Sequence, residues 1–338
     1  MNWSTGYSAA YYLSIVDPIT WRDTGRIEIE SGSISREMDG LQQSAEAVCR
    51  DFELNQEQWV RVYMEARQDQ DAIRIALFTG LAMSPDQTIN GQRISNNLEC
   101  YSVLKPADDV ILERGWYAAA EMDAAELIKQ LLAPVPAPLL DTDSVEPRYL
   151  TSAILAEDGE TNLTMIERIL AAVNWQLRIN GDGTLQLGPY SETHSIVFDP
   201  LVNDIIETEI KKTSDWYECP NVFMAINGDE ISIVKDEDDE SDLSIQNRRR
   251  EVWMYESSCD LADNETISAY ALRRLKEEQR YAINVSYDRR YVPDILPGDL
   301  VLLRYPAQGL DGLYMIESQD IDLGYSAKTS ESVIGVTL

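Results

Sequence analysis

Residues 296–324 constrain this chain more than any other stretch, because they spell out a long antiparallel hairpin. Pro297-Gly298-Asp299 is turn sequence: proline presets φ and glycine tolerates positive φ. Residues 300–305 are an apolar run of strand length. Residues 308–312 supply the next turn, and 313–323 a second long strand in which Ile321 and Leu323 alternate with Asp320 and Asp322. A hairpin of this length and alternation belongs to a small β-barrel.

The first 108 residues read the same way. Residues 11–16 form a strand ended by Asp17-Pro18. Residues 26–30 alternate, and Gly32 offers a bend or bulge. Residues 45–52 continue the pattern. Residues 59–64 and 72–80 make a hairpin around 68–71, and Asn90-Gly91 is a favoured tight turn. Strands at this spacing predict a barrel or sandwich.

The middle of the chain changes period. Asp123 with Glu126 fits a capping-box variant ahead of a helix that buries Leu127, Ile128, Leu131 and Leu132. The Pro-rich stretch 134–138 stops that helix as a stiff connector. Thr164 is expected to cap a second helix carrying Ile166, Ile169, Leu170 and Val173. A hairpin follows directly, with Trp175, Leu177 and Ile179 on one strand, a turn at 180–183, and Leu185 and Leu187 on the return. Beyond 204 the chain is β-rich again, with strands at 222–226, 231–234, 252–255 and 283–287. An acidic loop spans 236–242. A helix at about 264–280, capped by Asp263 or Asn264, carries Ile267, Tyr270, Ala271 and Leu275, with Arg273 and Arg274 in solvent. We therefore expect a mainly β chain with three parts: a tube-like barrel at 1–108, a small α+β domain at 109–203, and a second barrel with an inserted helix at 204–338.

Charge and residue types narrow the chemistry. There are 28 basic and 59 acidic residues, a formal charge of −31 and a pI near 4.2. A surface of this sign repels a phosphate backbone, so specific nucleic-acid binding is not expected, although a conduit that DNA must slide through would want that sign. No run of 18 apolar residues exists, so no membrane span is expected. The N-terminus lacks the basic and apolar regions of a secretory signal, and the sequons at Asn2, Asn162, Asn264 and Asn284 read as chance. Cys49, Cys100, Cys219 and Cys259 are far apart and read as buried thiols rather than zinc ligands. His194 is the one histidine and lies in a loop without a nucleophile elbow. Asn180-Gly181-Asp182-Gly183 has no phosphate-loop motif. Asp236, Asp238 and Glu240 have the spacing of calcium ligands, but Ser241 and Asn247 stand where an EF-hand requires glycine and glutamate. The seven tryptophans read mostly as core. We assign no catalytic, cofactor or metal residue.

Two stretches carry a resemblance. The pattern PGDxVxLxYPAQGLDG of the C-terminal hairpin and the run ETNLTMIERILAAVNWQLRINGDGTLQL at 160–187 resemble tailed-phage baseplate hub proteins of the late control D-like family. The resemblance covers most of the chain and is strongest at 155–190, 216–226 and 265–331. It implies two tube-protein-like barrels joined by extra α+β parts, assembled as a homotrimer whose six barrels form a pseudo-sixfold ring between a hexameric tail tube and a threefold spike. It further implies a virion location at the tail baseplate after assembly in the host cytoplasm. The implied partners are tail tube or distal tail protein, central spike, other baseplate proteins and tape measure protein. It carries no catalytic residues, and no fused wall-degrading domain is expected here. Two other readings stay open, a carbohydrate-active tail enzyme and a receptor-binding adaptor at the tail tip.

Overall fold

The computed structural model describes residues 1–338 apart from 4, 39–40, 42, 51, 53, 55, 91–92, 140–145, 190–195, 203–204, 215, 258, 260, 262–264, 281, 325–327 and 337–338, together with the side chains of 84–87, 90, 93–95 and 208. His194, Gly91, Asp263 and Asn264 lie outside the described residues.

The first six strands are β1 (Ser8–Val16), β2 (Asp23–Glu37), β3 (Gln43–Arg50), β4 (Gln58–Gln68), β5 (Asp71–Asn90) and β6 (Arg93–Ser102). They pair antiparallel in the order β1-β4-β5-β6-β3-β2, and β1 also pairs with β2, which closes the sheet into a barrel. Alternation dictates the closure: Leu13, Ile34, Ala47, Val62, Met64, Leu77 and Leu98 all point inward and are buried. The β2–β3 register slips between Ile29 and Ser31. Gly32 follows this bulge, and a Cβ there would stand 2.1 Å from the Glu46 carbonyl oxygen.

A small α+β unit follows: α1 (Lys105–Asp108), β7 (Tyr117–Ala118), α2 (Ala124–Leu131), β8 (Ile154–Leu155), α3 (Asn162–Val173), β9 (Trp175–Ile179) and β10 (Leu185–Pro189). Asp123 caps α2 by accepting from the Ala125 amide, while Glu126 pairs with Lys129 at 3.5 Å rather than reaching back. The second cap is Thr161, three residues earlier than Thr164. Thr161 accepts from the Thr164 amide, and Thr164 Oγ1 accepts from the Thr161 amide, so the expected cap is the third residue of a reciprocal box. The Pro-rich stretch is packed: Val135 is buried, and the Pro138 carbonyl accepts from the Leu185 amide.

The remaining strands are β11 (Ile196–Phe198), β12 (Ile206–Ser214), β13 (Val222–Asn227), β14 (Glu230–Lys235), β15 (Trp253–Ser257), β16 (Ile283–Arg290), β17 (Leu300–Tyr305), β18 (Leu310–Asp322) and β19 (Lys328–Gly335), with helices α4 (Ile245–Arg248) and α5 (Ile267–Arg280). Six of these strands form a second curved sheet, ordered β11-β17-β18-β19-β16-β12. This core takes in 196–198, upstream of the expected boundary at 204, because Ile196, Val197 and Phe198 pair with β17 and Phe198 fills its interior. It excludes 222–257: β14-β13-β15 is a separate three-stranded sheet whose Phe223 and Ala225 pack against Tyr270, Ala271 and Leu275 of α5. The inserted helix thus brings a sheet with it. The β17–β18 turn lies at 306–309, where a 3-10 turn ends on Gly309 at φ 69°, and Leu310 already pairs with Tyr305.

The second sheet, a barrel left open between β11 and β12 among the described residues, has the strand order of the first. Numbering strands one to six within each, the neighbours are 1-4, 4-5, 5-6, 6-3 and 3-2 in both. They differ at strand one: β1 closes onto β2 and runs antiparallel to β4, whereas β11 runs parallel to β17 and has no ladder to β12 among the described residues.

Candidate assembly surfaces and the inter-barrel junction

The barrels are welded by a ladder. Residues 33–37 of β2 leave β1 and pair antiparallel with 318–322 of β18, in the register Ile34↔Ile321 and Arg36↔Gln319. A β-sheet therefore runs unbroken from one barrel into the other. Its two faces have opposite chemistry, because side chains alternate. Inward, Ile34 and Ile321 are buried. Outward, one row crosses six strands as Tyr101, Ser44, Ser35, Asp320, Ser330 and Asp288, and a second runs Glu99, Glu46, Ser33, Asp322. Hydroxyls and carboxylates dominate this face. Lys328 is held there by Asp288 at 2.5 Å.

Behind the seam lies a buried charged chain. Arg289 and Glu331 form an ion pair with no exposure on either side chain. Arg289 Nε donates to Glu331 Oε2 at 2.8 Å, and Gln319 Nε2 donates to Glu331 Oε1 at 2.6 Å. Arg36 reaches Gln319 at 3.5 Å and the Leu77 carbonyl of the first barrel. A guanidinium and a carboxylate out of water are costly to leave without each other, so shifting one barrel on the other would be opposed by this chain.

The β9–β10 hairpin wedges between the barrels. A methyl on Gly181 would stand 1.9 Å from the Ala76 carbonyl oxygen, so the turn touches β5 directly. Arg61 donates to the Asp182 carbonyl at 2.8 Å while paired with Asp23 at 2.6 Å, and Trp21 Nε1 donates to the same carbonyl. On the other side Arg178 pairs at 2.9 Å with Asp299, in the turn before β17. Burial is the largest influence on Asp299 and leaves its carboxyl above the ordinary range despite that partner.

Outside the junction, a cleft of about 1190 Å³ lies between α3, α5 and the second barrel, with Leu300, Met315 and Ile334 on its floor and Arg273 and Glu277 at its rim. The α5 arginines expected in solvent are instead netted: Arg273 pairs with Glu265 and Glu277, and Arg274 with Glu256, Glu277 and Glu278. In the acidic loop, Asp236 accepts from Ser241 Oγ and Gln279 Nε2, which turns it toward the fold. Among the described residues no group of three or more His, Cys, Asp or Glu side chains is placed to hold a metal ion, and no helix is long and apolar enough to cross a membrane. All four cysteines are buried, and burial pushes Cys49 and Cys100 up to about 12. Trp175 is core, but Trp216 and Trp253 are about half exposed. Trp253 and Tyr255 join Ile231 and Ile233 on the outer face of β14-β13-β15, although the tryptophans read mostly as core in the sequence.

Solved structures match nearly the whole chain. A tail protein from Neisseria meningitidis MC58 aligns with a TM-score of 0.70 at 14% identity, covering 98% of this chain and 97% of its own. The 43 kDa tail protein of prophage MuSo2 from Shewanella oneidensis aligns at 0.64 and 14%, covering 96% and 97%. The fold is that of phage tail proteins. An Escherichia coli type VI secretion component, described as structurally similar to bacteriophage T4 tail proteins gp27 and gp5, aligns at 0.55 and 7% identity over 92% of this chain and 74% of that one. No family model matches the sequence, and no curated protein does.

Proposed function

We propose that this chain is the structural hub of a phage tail or phage-like injection particle, a homotrimer that adapts a sixfold tail tube to a threefold spike. The observation that carries this reading is the repeat of one strand order in two barrels welded by a shared sheet. Two quasi-equivalent barrels per chain become six in a closed ring of three, and cyclic closure is the ordinary way such interfaces are satisfied. The tail-protein neighbours support the same setting. Its partners on this reading are tail tube or distal tail protein, central spike, other baseplate proteins and tape measure protein. Its place is the tail baseplate, after assembly in the host cytoplasm.

The hydroxyl and carboxylate face of the shared sheet is our candidate for the bore wall. It offers a phosphate backbone few cations, so DNA would pass without being retained. Native mass spectrometry of the chain, with tube or spike partner present, should give three copies. A hexamer of this chain, or a persistent monomer inside an assembled particle, would count decisively against the hub. A non-enzymatic role goes with it: cell-wall zymograms should stay blank, and clearing lost on changing one Asp or Glu in a folded variant would favour the carbohydrate-active alternative.

A further inference from the structure

Several edges of the continuous sheet carry no ladder among the described residues, those of β11, β12 and β5 among them. β12 pairs with β16 along one side only. β5 runs on to Asn90, but its ladder to β4 stops at the pair Gln58↔Ala82, which leaves that edge open while β6 holds the other. Inside the chain the corresponding edges are joined. The ladder of β18 to β17 stops at Leu300↔Met315, and beyond it residues 318–322 take β2 on the vacated side.

The correspondence can be set residue by residue. The β5–β6 ladder slips between Met83 and Asp86, and the β18–β19 ladder slips between Ile316 and Ser318. Placing these bulges on each other sets 86–90 over 318–322, and Gln87 and Ile89 then fall on Gln319 and Ile321. Walking on through the ladders of each barrel sets Ser214 of β12 where Ile34 stands in β2. The walk also superposes Leu98 on Val333 and Ala47 on Val285, all four wholly buried. Two pairs are not matched in their surroundings, and in one of them wholly buried Ile34 falls on exposed Ser214. Ile321 is 1% exposed beneath the junction, whereas Ile89 is 66% exposed. Lys211, Lys212, Thr213 and Ser214 are all exposed, and the chain continues into exposed Trp216 and Tyr217.

We propose that β12 of one copy adds antiparallel to residues 86–90 of β5 in the next copy, in the register Ser214↔Ile89, repeating between chains the junction that joins the barrels within one. This rests on the trimer reading above and specifies its interface. Three such joints close the ring and cover the open edges of both β12 and β5. Open edges invite uncontrolled pairing, and the adjacent lysines on β12 are a common guard against it in the free chain. Copies of a chain carrying a charge of −31 repel one another, so added salt should favour the joint.

The test is a pair of cysteines in the full-length chain, Ile89→Cys with Ser214→Cys, placed at exposed positions that opposed strands bring within disulfide reach. The native thiols are buried and should not interfere. Native mass spectrometry reports copy number, and a non-reducing gel reports the link. We expect covalent trimers from the double variant, reversed by reductant, and none from either single variant or from Ile89→Cys with Lys212→Cys. Non-covalent trimers with no link, or equal linking in the shifted pair, would overturn the proposed register while leaving the trimer standing. Absence of trimers at any salt would remove the trimer reading and this one with it. As a second measurement, Ile89→Asp should leave folded monomers with an unchanged circular dichroism spectrum; intact trimers would contradict the joint.

Discussion

At the scale of single residues, the decisive groups are those that water cannot reach. Glu331 answers Arg289 and Gln319 at once. Glu331→Leu strands a buried guanidinium and should cost about 3–5 kcal/mol in urea unfolding. Arg289→Met combined with Glu331→Leu removes both charges and should recover most of that loss, which separates an electrostatic cost from a packing cost. The thiols make a second test. Cys49 and Cys100 sit at about 12, while an unfolded thiol titrates near ~8.5. Their contribution is complete below the unfolded value and is lost as pH rises between the two, so stability should fall on the alkaline side. At neutral pH an alkylating reagent should leave the native thiols untouched and label all four in denaturant; rapid labelling of the folded chain would show that the barrel breathes there. The sequence placed these cysteines as buried thiols on residue type alone. It could not find the ion pair, because Arg289 and Glu331 are 42 positions apart and look like any charged strand residue until the ladder brings them together.

At the scale of elements, local chemistry chose most starts and stops, and competition between neighbouring candidates moved some of them. Thr161 and Thr164 both suit a cap, and the helix starts at the earlier one because each then satisfies the other's amide. Thr161→Ala should cost about 1 kcal/mol, measured by thermal or urea unfolding. The turn before β18 falls at Gly309 rather than across 308–312, because a left-handed glycine there lets Leu310 pair at once with Tyr305. The hairpin at 180–183 carries more than a reversal of direction. Gly181→Ala drives a methyl into the Ala76 carbonyl and should detach the hairpin from the first barrel. Limited proteolysis of that variant should cut near the turn with both barrels intact, and a wild-type digestion pattern would argue that the contact is dispensable.

At the scale of the whole molecule, the proposed trimer would bring a total formal charge of three times −31 to one ring. The wild-type assembly should therefore elute from immobilised DNA at the lowest salt tested; retention that weakens with salt would place cations on the bore and contradict the wall assigned to the shared sheet.

The sequence by itself determined the mainly β class, the helical middle unit and nearly every hairpin, because strand alternation, turn glycines and caps act over a few residues. Only the tertiary structure decided that 222–257 forms its own sheet, that 196–198 belongs to the second barrel, and that β2 crosses into β18. Each depends on which edge a strand meets across dozens to hundreds of residues. An alternating strand carries the same local pattern whichever neighbour it finds, so its partner is set by the closure of the barrels and not by its own residues.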